Sequence, residues 1–273
     1  MGQPVVRGWA LIWHDEFDSA EIDLSKWEHE ENCWGGGNNE LQCYVADAKN
    51  SFIENGILHI KAIADNPSGE VNPPNDTNIT TMPYSSARLR TKNLGDWKYG
   101  RIEARLQLPD GQGLWPAFWM LPTDSAYGGW AASGEIDIVE AVNLSPGDNI
   151  VYGTLHYGGQ WPANVHSGDS VSPSTYVSDN FHTYAVEWEE GEMRWYVNDT
   201  LYATQTDWYT SGGASFPAPF DQPFHILLNV AVGGNWPGPP NDATVFPKEM
   251  RIDYVRVYQC AKDLETGHGC NDK

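Results

Sequence analysis

The sequence is poor in positive charge. Lys and Arg number 16 against 37 Asp and Glu, a formal net charge of −21 over 273 residues. That balance argues against nucleic acid and anionic membranes as partners, because both are bound through clustered cations. It favours a neutral or cationic partner, although an organism-wide acidic bias, as in saline habitats, would give the same figure. Long apolar runs are missing, and none approaches the roughly 20 residues that span a bilayer. The N-terminus "MGQPVVRGWA" lacks a signal peptide's apolar stretch, so the chain is either cytoplasmic or secreted with its signal already removed. No segment holds a 3.6-residue apolar stripe for ten residues, so helix should be minor. No linker, repeat or low-complexity stretch divides the chain. One domain over 1–273 is expected, ending in a short tail at about 261–273, and a chain of this size can bury a substantial core.

Cysteine is scarce as well. Cys33 and Cys43 flank a Gly-rich loop, and Cys260 and Cys270 flank the tail. No CxxC or His/Cys cluster suggests zinc. Four cysteines allow three pairings, and sequence alone does not choose between them. Local pairing, Cys33–Cys43 and Cys260–Cys270, needs the least chain reorganisation and is expected; four free thiols are the alternative. Disulfides lean toward the secreted reading.

What the chain has in quantity is aromatic residues and turns, with 13 Trp and 27 Gly. Short alternating segments run between turn residues. "YGRIEARLQL" puts Ile102, Ala104, Leu106 and Leu108 on one face and Arg101, Glu103, Arg105 and Gln107 on the other. "HTYAVEWEEGEMRWYVNDTLYA" reads as three strands joined at Glu190-Gly191 and Asn198-Asp199. The polar stretch 64–83 and "GPPNDATVFP" read as long loops. Many short strands with Gly/Pro turns predict an all-β protein, a jelly-roll sandwich of two antiparallel sheets.

The chemistry concentrates in "GEIDIVE", residues 134–140. On a strand, Glu135 and Asp137 share a face, while the odd spacing sends Glu140 to the other. A β-bulge near Ile138–Val139 would return it. Three acids on one strip would then raise at least one pKa, leaving a protonated carboxyl beside an ionised one. Retaining glycosidases use such a pair, held about 5–5.5 Å apart. Just upstream, "GLWPAFWMLP" places Trp115 and Trp119 four apart, on one strand face, as flat platforms for sugar rings. Pro116 suggests an edge strand or one irregular at its start.

These two motifs resemble the active-site strands of glycoside hydrolase family 16, and within it the bacterial laminarinases, which are endo-β-1,3-glucanases. "WHDEFD", "NNELQCY", "SSARLRTK", "YGRIEARLQLP", "GTLHYGG", "LLNVAVGGNWPG" and "IDYVRVYQ" look like the family's remaining pieces, in order, over nearly the whole chain. The Glu-x-Asp-x-x-Glu spacing is similar to laminarinases, agarases and carrageenases; the lichenase branch has one residue fewer and no bulge. The resemblance implies a concave cleft with Glu135 as nucleophile, Glu140 as acid and then base, and Asp137 holding Glu135. It places His156 beside them. It also implies sugar contacts from Trp115, Trp119, Asn39, Arg88, Asn229 and Trp236, with Trp130 a further platform. A structural Ca²⁺ is implied on the far side, through carbonyls of Glu16 and Gly56 and the Asp253 carboxylate. Hydrolysis itself would need no cofactor.

The expected substrate is therefore β-1,3-glucan, acted on by a secreted protein with no feature that demands an oligomer. The alternatives are mixed-linkage glucan, a galactan as in agarases and carrageenases, transglycosylation, and a lectin that only binds glucan. Lectin relatives have lost the acids, which are all present here.

Overall fold

The computed structural model describes residues 8–271. Apart from one three-residue 3-10 turn, Gly35–Gly37, the regular elements are all strands. Two eight-stranded antiparallel sheets contain most of them. The outer sheet runs Thr200–Gln205, Glu192–Val197, His182–Glu189, Gly100–Gln107, Lys248–Cys260, Ile57–Ala62 and Ser51–Glu54, with Trp9–Asp15 also paired to Lys248–Cys260. The inner sheet runs Asn164–Val171, Val151–Gly158, Glu135–Glu140, Leu114–Pro122, Phe224–Val232, Arg88–Arg90 and Glu28–His29, with Asp96–Trp97 paired to Phe224–Val232.

Alternation decides which side chains meet between the sheets. Ile102, Ala104 and Leu106 from the outer sheet and Phe118, Ile136 and Leu228 from the inner belong to one buried cluster. The opposite face of Gly100–Gln107 is not bare. Arg101 and Glu103 are both buried, and Arg101 bridges Glu103, Glu187 and Asp199 at 2.7–3.0 Å. The three-strand reading of 182–205 matches, and Gly191, Asn198 and Asp199 supply the positive φ that tight hairpins need. Both disulfides have the local pairing, Cys33–Cys43 and Cys260–Cys270.

Two expectations are corrected. Residues 64–83 are not a long loop: Ser68–Asn72 and Asp76–Thr81 pair as a hairpin. Polar residues on both faces hid its alternation. The Trp strand Leu114–Pro122 is central rather than at an edge, lying between Phe224–Val232 and Glu135–Glu140. Pro116 is tolerated because pairing with the acid strand begins one residue later, at Ala117.

One contact ties the outer sheet to the inner. The indole of Trp195, fully buried, donates to the backbone carbonyl of Asp137 at 2.9 Å. It reaches there past Gly153, where an added Cβ would lie 2.5 Å from the Trp195 ring. Trp195→Phe keeps the ring but orphans a buried carbonyl, a loss of about 1–3 kcal/mol. Urea unfolding should show that loss, and glycan turnover should fall with it. An unchanged midpoint would remove Trp195 as a support for the acid strand.

Candidate active site

The acid strand follows Gly134, whose φ of +89° and close approach to Phe220 suit only glycine: an added Cβ would sit 2.7 Å from that ring. Beyond it the ladder slips. Ala117 pairs with Glu140, Phe118 with Val139, and Trp119 with Asp137, so Ile138 is an extra residue. On the other side, Asp137 pairs with Thr154 and Glu140 with Tyr152, a step of three against two. Ala117 and Trp119 share a face, and so therefore do Asp137 and Glu140. The bulge brings all three carboxylates to the inner sheet's open face, opposite buried Ile136, Ile138 and Val139.

Their environments differ. Asp137 is 1% exposed. Burial, reinforced by the charges of Glu140 and Glu135, holds its carboxyl well above the usual range. A neutral Asp137 can donate a hydrogen bond to a neighbouring carboxylate. Glu140 is pushed up to about 7, first by burial and then by the charge of Glu135. Its Oε1 accepts from Trp115 Nε1 at 3.0 Å. Glu135 Oε2 accepts from Trp130 Nε1 at 2.5 Å. His156 lies directly across from Glu135, with Nε2 3.2 Å from Asp137 Oδ2. Burial lowers its pKa and favours neutral imidazole.

The remaining sequence-predicted residues gather around this strip. Trp119 Nε1 donates to Asn229 Oδ1 at 2.6 Å, and Asn229 Nδ2 donates to Tyr44 at 3.0 Å. Arg88 lies 4.7 Å over the Trp119 ring and pairs with Glu30 at 2.7 Å. Asn39 donates to Asn235 at 2.9 Å, tying the Gly-rich loop to the loop that carries Trp236. Trp236 stands edge-on to Trp115 at 5.4 Å. Trp130 and Trp236 remain 40% and 43% exposed, so their rings are open to a ligand.

Sequence reasoning missed the supports. Tyr44 and Glu30 orient Asn229 and Arg88. Glu40 is buried and accepts from Asn38 and Gln42 at 2.9 Å each, which holds the loop bearing Asn39. Tyr44 and Glu30 lie far along the chain from the residues they orient, and only the "NNELQCY" stretch pointed to any of the three.

Residues 59–256 match the family described as Glycosyl hydrolases family 16. The chain belongs to that family. It is 44% identical over 272 residues to glucan endo-1,3-beta-glucosidase A1 of Niallia circulans, covering 94% of this chain and 39% of that protein. The chain thus spans about two fifths of that relative's length. It is 40% identical to a beta-glucanase of Rhodothermus marinus, over 92% of this chain and 85% of the other. The laminarinase structure from Rhodothermus marinus superposes with a TM-score of 0.79 at 38% identity, covering 93% and 98% of the two chains.

Of the three residues implied as calcium ligands in this family 16 chain, Asp253 lies on an outer-sheet strand and Glu16 and Gly56 lie just beyond the ends of its neighbours. The ladders run Asp15 against Val255 and Leu58 against Ile252, which brings positions 16 and 56 to the same stretch of Lys248–Cys260 as Asp253. Asp18 Oδ1 lies 4.0 Å from where a Cβ on Gly56 would be. The Glu16 carboxylate is held by Arg256 at 2.8 Å through both oxygens, leaving its carbonyl for a metal. Asp253 Oδ2 pairs with Arg105 at 2.5 Å, leaving Oδ1. Two carbonyls and one carboxylate oxygen fit a hard cation.

A carboxyl whose pKa is raised on folding contributes stability below its ordinary value, here 4.5, and loses it as pH rises through about 7. Glu140→Gln removes that loss. The variant's melting temperature relative to wild type should therefore rise between pH 4.5 and pH 8. A difference independent of pH would contradict the raised Glu140.

Proposed function

We propose that this chain is a retaining endo-β-1,3-glucanase. The observation that carries the reading is the single strip of Glu135, Asp137 and Glu140, in which burial holds Asp137 and Glu140 above the ordinary carboxyl range and the Trp130 and Trp115 indoles donate to Glu135 and Glu140. Glu135 attacks the anomeric carbon while Glu140 gives its proton to the departing glycosidic oxygen. Asp137 donates to Glu135 and keeps it in place. In the second half, Glu140 takes a proton from water as the water oxygen bonds to the anomeric carbon and the carbon–oxygen bond to Glu135 breaks. Trp115, Trp119, Trp130 and Trp236 receive sugar faces, and Asn39, Arg88, Asn229 and His156 orient hydroxyls or the carboxylates.

A neutral glucan suits this cleft better than a sulfated galactan. Arg88 and Arg90 are both ion-paired, to Glu30 and Glu28, and so are committed before any ligand arrives. The similarity to proteins named for endo-1,3-β-glucan cleavage supports the same substrate. We assign the whole chain to one catalytic domain, acting as a secreted monomer. No helix among the described residues is long and apolar enough to cross a membrane. The carbonyls of Glu16 and Gly56 and the carboxylate of Asp253 would hold Ca²⁺, which would brace the outer sheet and take no part in the chemistry.

Two tests follow from these roles. Glu135→Gln should abolish oligosaccharide release from linear β-1,3-glucan while glucan binding survives. Glu140→Ala should lose about 10²–10⁴-fold on laminarin, the usual worth of a general acid, but far less on an aryl glycoside with a good leaving group. Equal loss on both substrates would remove the acid role. For the metal, Ca²⁺ at a hundredfold excess over Kd should stabilise the protein by about 2.7 kcal/mol, and a chelator should reverse the gain. A melting temperature indifferent to both would exclude the site.

A further inference from the structure

We propose that the cleft also binds a borderline-soft divalent cation such as Zn²⁺ or Cu²⁺, held by Glu135 Oε1, Asp137 Oδ2 and His156 Nε2, and that the ion shuts off hydrolysis by occupying the nucleophile. The competition with substrate rests on the glucanase reading; the binding does not.

The ligand atoms are already gathered. All three lie within 4.8 Å of one another. His156 Nε2 is 3.2 Å from Asp137 Oδ2 and 3.9 Å from Glu135 Oε1. Tetrahedral zinc, with bonds of about 2.0–2.2 Å, sets its ligands about 3.3–3.5 Å apart. Only a small closing motion is needed. Trp130 occupies the other oxygen of Glu135, so Oε1 is the one left toward the imidazole.

A second, independent observation points to a ligand. Asp137 Oδ2 is buried, yet accepts no hydrogen bond, and its 3.2 Å contact with His156 Nε2 is not one. A buried acceptor without a partner is unfavourable, and a cation between these groups would satisfy it. His156 Nδ1 is also buried without a partner. A zinc-bound imidazole ordinarily donates that N–H to a fixed acceptor, and its absence weakens binding about 10–100-fold. The site is thus reversible and inhibitory, unlike a permanent metal centre. Imidazole selects Zn²⁺ or Cu²⁺ over Ca²⁺ and Mg²⁺. The fourth coordination position faces the cleft, where the sugar must sit.

Equilibrium dialysis of the full chain with Zn²⁺, in millimolar Ca²⁺ to saturate the outer-sheet site, should give one bound zinc. His156→Ala should weaken that binding at least tenfold, and His268→Ala, in the tail, should leave it within twofold. Laminari-oligosaccharide should displace the ion from Glu140→Ala, which is slow to cleave it. In wild type, Zn²⁺ should raise KM with little change in kcat. Zinc retained by His156→Ala, no zinc bound by wild type, or binding indifferent to oligosaccharide would each overturn the proposal. Because dialysis reads binding without turnover, wild type that binds zinc but cleaves no glucan would refute the glucanase reading and leave the metal site standing.

Discussion

The site depends on one extra residue. Without Ile138 as a bulge, strand alternation would turn Glu140 into the core, and the sheet's open face would carry two acids instead of three. A bulge disrupts the ladder, and something else must satisfy the backbone groups around it. Trp195 does this from the opposite sheet by donating to the Asp137 carbonyl, and Gly153 leaves room for its ring. The catalytic geometry is therefore anchored through the core. Apolar packing of Ile136, Ile138 and Val139 holds the strand down, and a buried indole fixes where it kinks.

The same crowding that gives the chemistry opposes folding. Burying two carboxyls beside a third raises Asp137 and Glu140 away from their ordinary values. Indole N–H groups limit the effect selectively. Trp130 donates to Glu135, and Trp115 donates to Glu140 without undoing the effect of its burial. Glu140 thereby keeps its proton up to about pH 7. The tryptophans that would stack on sugar thus also hold two of the carboxyl groups, so replacing one should affect catalysis as well as binding.

Much of this was legible in the sequence, for physical reasons. Alternation identified the strands, tight turns located the hairpin at 182–205, and the Glu-x-Asp-x-x-Glu spacing required a bulge before any coordinates. The local cysteine pairing expected as the one needing least chain reorganisation is the one observed. What stayed hidden has no local signal. The hairpin at 68–81 faces no core and so carries no apolar stripe. Pro116 sits in a central strand because its neighbour's pairing starts one residue later. Tyr44, Glu30 and Trp195 act on residues far along the chain, and only the fold brings them there. His156 beside Glu135 and Asp137 is expected from the "GTLHYGG" resemblance, and the strand pairing of Glu135 with His156 is what puts it there.

The most direct test is to trap the covalent intermediate. Glu140→Ala incubated with a 2-fluoro laminaribiosyl fluoride, then digested and mapped by mass spectrometry, should show the added sugar as an ester on Glu135. An adduct on Asp137 would contradict the assignment of roles along the bulged strand. No adduct, together with products of inverted anomeric configuration, would contradict the retaining mechanism.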